Sequence, residues 1–148
     1  MTYSAVIVDT NVVVAGVLTE NHASPVARIL SGMLAAAFSY VISEALLVEY
    51  RAVLLRPKLR KLHGLAVAGV DTILLDLVQH AIVLNPPPLT APPAPDPADQ
   101  FLWDLLAVRP DLLLITGDKI LLQDTGMQGR VILPRVWIDG VHLTRNPR

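Results

Sequence analysis

Apolar residues along this chain fall into two kinds of run. Tyr3 to Val8, Phe38 to Ile42 and the apolar stretch between Asp111 and Asp118 are short and lack a polar face, the pattern of strands covered on both sides in a parallel sheet. Other runs repeat at helical spacing. Val26, Ile29, Leu30 and Leu34 follow a polar turn at Glu20 to Ser24, with Pro25 suited to a first helical position. Leu46, Leu47, Tyr50, Val53 and Leu54 share the face of a helix that Ser43 can cap and that stops near Pro57. Residues 67–84 predict a further helix with a short strand over Ala81 to Leu84, and "NPPPLTAPPAPDP" then predicts an extended surface connection, because proline neither donates to a ladder nor continues a helix. Beyond it, Asp96 is placed to cap a helix with Pro97 at its first position, running into "FLWDLLAVR". A short helix is expected over Lys119 to Gln123, and a last strand in "RVILP" or "RVWIDGVHL". Strands alternating with helices in this way argue an α/β sandwich with a mainly parallel sheet.

Composition narrows the class. At 148 residues the chain suits one domain, residues 1–148, with a hydrophobic core of its own. Its 53% hydrophobic and 17% charged content is that of a compact protein. The absence of cysteine excludes disulfides, thiolate zinc sites and a cysteine nucleophile, and fits a reducing compartment. No apolar stretch is long enough to span a bilayer, and the N-terminus lacks the parts of a signal peptide, so a cytoplasmic location without membrane attachment is the expectation. A formal net charge of -1 advertises no polyanionic partner in bulk. Locally, Arg51, Arg56, Lys58, Arg60 and Lys61 form a basic patch, readable either as a solvated helix end or as a surface for RNA.

The candidate chemistry lies at the strand ends. Asp9 follows "AVIV", Glu44 follows "SYVIS" and Asp118 follows "LLLITG"; in an open parallel sheet the carboxyl ends of the strands are where sites form. Asp99, in the first turn of its helix, joins them if that helix starts on the same side. Each has a plainer reading: Glu44 suits a helix N-terminus, Asp96 and Asp99 suit capping, and Asp118 suits a turn. Asp9 is the hardest to explain away, since an unpaired buried carboxylate costs several kcal/mol. Four carboxylates together repel one another unless a cation compensates, and oxygen ligands suit Mg²⁺ or Mn²⁺. His22, His63, His80 and His142 show no close ligand spacing, which disfavours zinc. Such an ion activates water for attack on a phosphodiester, with Thr10, Asn11, Ser43 and Thr116 beside the acids as hydrogen-bonding support. Glu49, five helical positions beyond Glu44 and about 7 Å along the axis, is expected to lie away from the strand end. Asp104 is expected on a solvated helix face.

In order along the chain, "VIVDTNVVVAGVL", "VISEALLVEYRAVLLRPKL", "DPADQFLWDLLA" and "LLLITGDKILL" resemble the PIN domain, in its branch of VapC-like toxins from bacterial toxin-antitoxin systems. The resemblance spans about Ala5 to Leu122. It implies a three-layer α/β/α sandwich with a central parallel sheet, a Mg²⁺- or Mn²⁺-dependent endoribonuclease, RNA as substrate and an antitoxin protein as partner. A homodimer or larger homo-oligomer is also expected. The family's acids fall on Asp9, Glu44, Asp99 and Asp118, its polar residue near the first aspartate on Asn11, and the position before its final Gly-Asp on Thr116. The proline-rich stretch leaves Asp96 as an alternate for the third acid. Two rival functions differ in chemistry. A PIN-like module that binds RNA or protein without cutting would keep the fold alone. A phosphatase with an aspartyl-phosphate intermediate needs a second aspartate two positions after the first, where this chain has Asn11.

Overall fold

The computed structural model describes residues 4–127 and 129–141. Strand β1 (Ala5–Val8) leads without a loop into α1 (Thr10–Leu18), followed by α2 (Pro25–Leu34), β2 (Val41–Ile42), α3 (Glu44–Leu54), α4 (Pro57–His63), α5 (Val67–His80) and β3 (Ile82–Val83). After the proline-rich segment come a 3₁₀ turn (Pro97–Asp99), α6 (Gln100–Leu106), β4 (Leu112–Ile115), α7 (Lys119–Leu122), β5 (Val131–Ile132) and α8 (Pro134–Val141).

Every strand pairing among the described residues is parallel. β1, β4 and β5 form one ladder in the order β1-β4-β5, with Val6 opposite Leu113 and Ile115 opposite Ile132, and β2 pairs with β3. A bridge between Val6 and Tyr40 joins the two ladders at β1. The chain therefore builds outward from β1 in both directions, and the carboxyl ends of β1 and β4 flank the point where the order reverses. Such a switch point opens a crevice between diverging loops.

Every residue of β1 and β4 is buried. Side chains alternate between the faces of a strand, so both faces of the central strands are covered and the fold has the expected α/β/α layering. The core runs continuously from β1 and β4 through Ile29, Met33, Leu46, Tyr50, Leu77, Leu102 and Trp103. α1 and α2 approach so closely that a Cβ on Gly16 would lie 2.9 Å from both the Val26 carbonyl oxygen and Leu30 Cβ. Only glycine fits there, despite costing roughly 1 kcal/mol in helix propensity relative to alanine.

Two sequence expectations need correction here. "RVWIDGVHL" is not a strand: residues 134–141 form α8, with Pro134 at its start, while His142 and Leu143 lie outside the described residues. The last strand is in "RVILP", as Val131–Ile132. Asp104 does not face solvent. It is buried, accepting hydrogen bonds from Leu89 N at 2.8 Å, Ala91 N at 2.9 Å and Gln100 Nε2 at 3.1 Å, so it fastens the proline-rich segment to α6. These bonds outweigh the desolvation that pushes its pKa upward and leave it below the usual carboxylate value.

Candidate active site

Asp9 ends β1 and caps α1. Its Oδ1 accepts from Thr10 N at 2.7 Å, and its Oδ2 accepts from Thr116 Oγ1 at 2.7 Å and from Asn11 Nδ2 at 3.0 Å. The strand that "AVIV" predicted thus stops because aspartate turns the chain into a helix, and three donors satisfy the buried carboxylate. Thr116, fully buried after β4, is also an acceptor for Asp118 N at 3.0 Å and Asn11 Nδ2 at 3.2 Å. Asn11 Oδ1 in turn accepts from Gly117 N at 3.0 Å. One network therefore locks the ends of the neighbouring strands β1 and β4 and sets Asp9 and Asp118 on the same side of the sheet.

A hollow of about 440 Å³ opens above this network, lined by Asp9, Thr10, Asn11, Glu49, Asp99 and Asp118 among its polar residues, with Arg56 at its edge. Asp99 reaches it from the start of α6, and its side chain makes no capping hydrogen bond. Asp96, by contrast, spends its carboxylate on Ala98 N at 2.9 Å and does not line the hollow. Of the two alternates for the third acid, Asp99 is the one placed with the others.

Glu44 is not placed with them. It is exposed on the rim of a different hollow, between α3 and the proline-rich segment, where its backbone N–H donates to Asn85 Oδ1 at 2.7 Å. The glutamate that reaches the acids is Glu49, whose Oε1 accepts from Thr10 Oγ1 at 2.7 Å. Rise along the helix axis does not carry Glu49 away from the strand end as its spacing predicts, because α3 packs across the start of α1, and the Tyr50 hydroxyl donates to the Val8 carbonyl. Five residues also turn a helix by roughly 140° beyond one revolution, so Glu44 and Glu49 face different ways. A signal for Glu49 was present in the sequence: it sits three residues after Leu46 and four before Val53, a charge on the apolar stripe of the helix.

The electrostatics follow from this crowding. Asp9 is held above the usual carboxylate pKa, first by burial and then by Glu49 and Asp118, against the lowering effect of the hydrogen bonds from Thr116 and Thr10. Asp99 is pushed up to about 6 by burial, with Asp9, Asp96, Asp118 and Glu49 adding repulsion. No salt bridge among the described residues involves any of these acids. The chemistry of the donor set, carboxylate oxygens with an amide and hydroxyls beside them, fits a hard divalent cation. Among the described residues no group of three or more His, Cys, Asp or Glu is drawn together as a ready-made cage.

Of the basic patch, only Arg56 lines the hollow. Arg51 is engaged by Asp71, with Nε to Oδ1 at 2.8 Å, while Lys58, Arg60 and Lys61 are exposed on α4.

A family model described as PIN domain matches residues 5–119, more than half of the chain and all of the acids described above. The chain belongs to the PIN domain family. PIN domains are generally nucleases and typically use divalent metal ions. No curated protein and no solved structure matches this chain. Among the described residues of this PIN domain, no single helix is long and apolar enough to cross a membrane.

Proposed function

We propose that this PIN domain is a metal-dependent endoribonuclease that hydrolyses RNA phosphodiester bonds, with Asp9, Glu49, Asp99 and Asp118 holding Mg²⁺ or Mn²⁺ directly or through water. The single observation that carries the reading is the convergence of these four acids on one open hollow at the switch point of the sheet, each pair of them on different elements. When bound, the ion supplies an activated water and offsets charge on the leaving oxygen.

The chain's own residues fix the geometry. Asp9 is oriented by three donors and cannot swing away from the strand end. Thr10 holds Glu49 in place across the helix interface. Asn11 joins Asp9 to the backbone of Gly117, so the Asp118 turn keeps its distance from β1. Arg56 is the basic residue that lines the hollow with the acids, suited to a substrate phosphate.

The reading extends to a cytoplasmic toxin, working as a homodimer or larger homo-oligomer and silenced by a cognate antitoxin. A small open reading frame beside its gene, with a DNA-binding start, would support that role. Activity itself is tested by incubating the purified chain with tRNA, rRNA and mRNA in Mn²⁺. Cleavage that EDTA abolishes and that Asp9→Asn lowers at least about a hundredfold is expected. Equal cleavage by parent and Asp9→Asn, or indifference to EDTA, removes the reading.

A further inference from the structure

The hollow that holds the acids does not end at Asp118. A second hollow of about 470 Å³ shares Asn11, Ala15 and Asp118 with the first, and a third of about 260 Å³ shares Val26 and Pro134 with the second. Together they make a track leading from Arg56, past the acids, to Arg135 in the first turn of α8. Beyond Asp118 its walls carry no further acid, and Val26, Leu133 and Pro134 make them largely apolar. Arg135 is exposed and has no salt bridge among the described residues.

We propose that the part of the track beyond Asp118 is a binding subsite for the continuing single strand of the nucleic acid, with Arg135 gripping a phosphate on the far side of the acids from Arg56. The proposal rests on the nuclease reading for the position of the scissile phosphate. It follows from matching chemistry along the track. A single strand alternates anionic phosphates with flat apolar bases, and here arginine stands at each end with apolar wall between. A duplex keeps its bases stacked inside and would leave Val26, Leu133 and Pro134 uncovered. The acids in the middle repel phosphate, so binding along the whole track depends on a divalent cation there.

The test measures binding and cutting separately. Binding is read by fluorescence anisotropy on the full chain with its four acids intact, in Ca²⁺ in place of Mg²⁺ to occupy the oxygen ligands while slowing hydrolysis, with an unstructured labelled RNA of about ten nucleotides, a fragment of about three, and the longer strand annealed to its complement. Adding Arg135→Ala should weaken binding of the longer strand about tenfold, as expected for loss of a charge-assisted contact. It should also lower the salt slope by about 0.7, leave the short fragment unaffected, and be largely rescued by Arg135→Lys. The duplex should bind more weakly than the single strand. Unchanged affinity and slope in Arg135→Ala, duplex binding as tight as single strand, or no binding of the longer strand each overturns the subsite. If the parent cuts RNA but Arg135 is silent, the nuclease reading stands and the subsite falls. If nothing is cut while the Arg135 effects appear, the subsite stands and the nuclease reading falls.

Discussion

Asp9 was the residue most legible from sequence, because an acid at the end of an all-apolar strand lacks a cheap structural explanation. Asp99 and Asp118 were legible for a related reason, their position at the start of a helix and the end of a strand. Glu49 was not, since distance along a helix does not reveal which neighbour the helix crosses. The two glutamates separate cleanly by experiment. Glu49→Gln should lower RNA cleavage at least about a hundredfold, whereas Glu44→Gln, exposed on another hollow, should leave it within about twofold, both read as initial rates in Mn²⁺. Asp99 adds a dependence on pH. Its pKa is raised from 3.8 to about 6 in the folded chain, so the native state binds a proton that the unfolded state has released between those values. This contribution to stability is present below the unfolded pKa and is lost as pH rises through about 6. Asp99→Asn, which stays neutral, should therefore raise the melting temperature of the EDTA-treated protein at pH above that value and have little effect near pH 4, by calorimetry across the range.

Among the elements, the strands and the helices with an apolar stripe were readable from periodicity, and Ser43 and Asp96 cap their helices as expected. α1 escaped because "TNVVVAGVL" is apolar on nearly every face, which leaves no period to detect, and because no loop separates it from β1. α4 escaped because Pro57 reads equally as a helix stop and as a first helical position; the chain bends at Arg56 and begins again. The proline-rich connection was recognised as extended, but not its fastening. Asp104 lies under it, and Gln100 helps by accepting from Ala94 N at 2.8 Å. Asp104→Ala removes the acceptor for two backbone N–H groups and should cost about 2 kcal/mol. Limited proteolysis should show new cuts within residues 85–95 in that variant, while the segment in the parent resists.

For the whole molecule, β strands that each end near the next explain why so few residues specify the site. The parallel ladder sets the carboxyl ends of β1 and β4 side by side, and the Asn11 and Thr116 bridges fix them there. At the other end of the same strands, the Arg130 guanidinium donates to the carbonyls of Leu106, Arg109 and Leu112, tying the entry to β5 to the loop before β4. The ladder order itself could not be read from one sequence, because pairing partners are distant in the chain. Since the acids repel one another in the folded state, a divalent ion should stabilise the whole fold: Mn²⁺ at a hundred times its dissociation constant adds about 2.7 kcal/mol. The parent should melt at a correspondingly higher temperature with Mn²⁺ than with EDTA, and Asp99→Asn should respond less. Finally, Asp9 caps α1 as well as lining the proposed metal site, and this restricts how a lineage can lose the proposed activity. Alanine at that position removes the helix cap together with the charge, whereas asparagine keeps an acceptor for Thr10 N. Inactive descendants of this chain should therefore carry asparagine or serine at position 9 far more often than alanine, a bias left by folding alone.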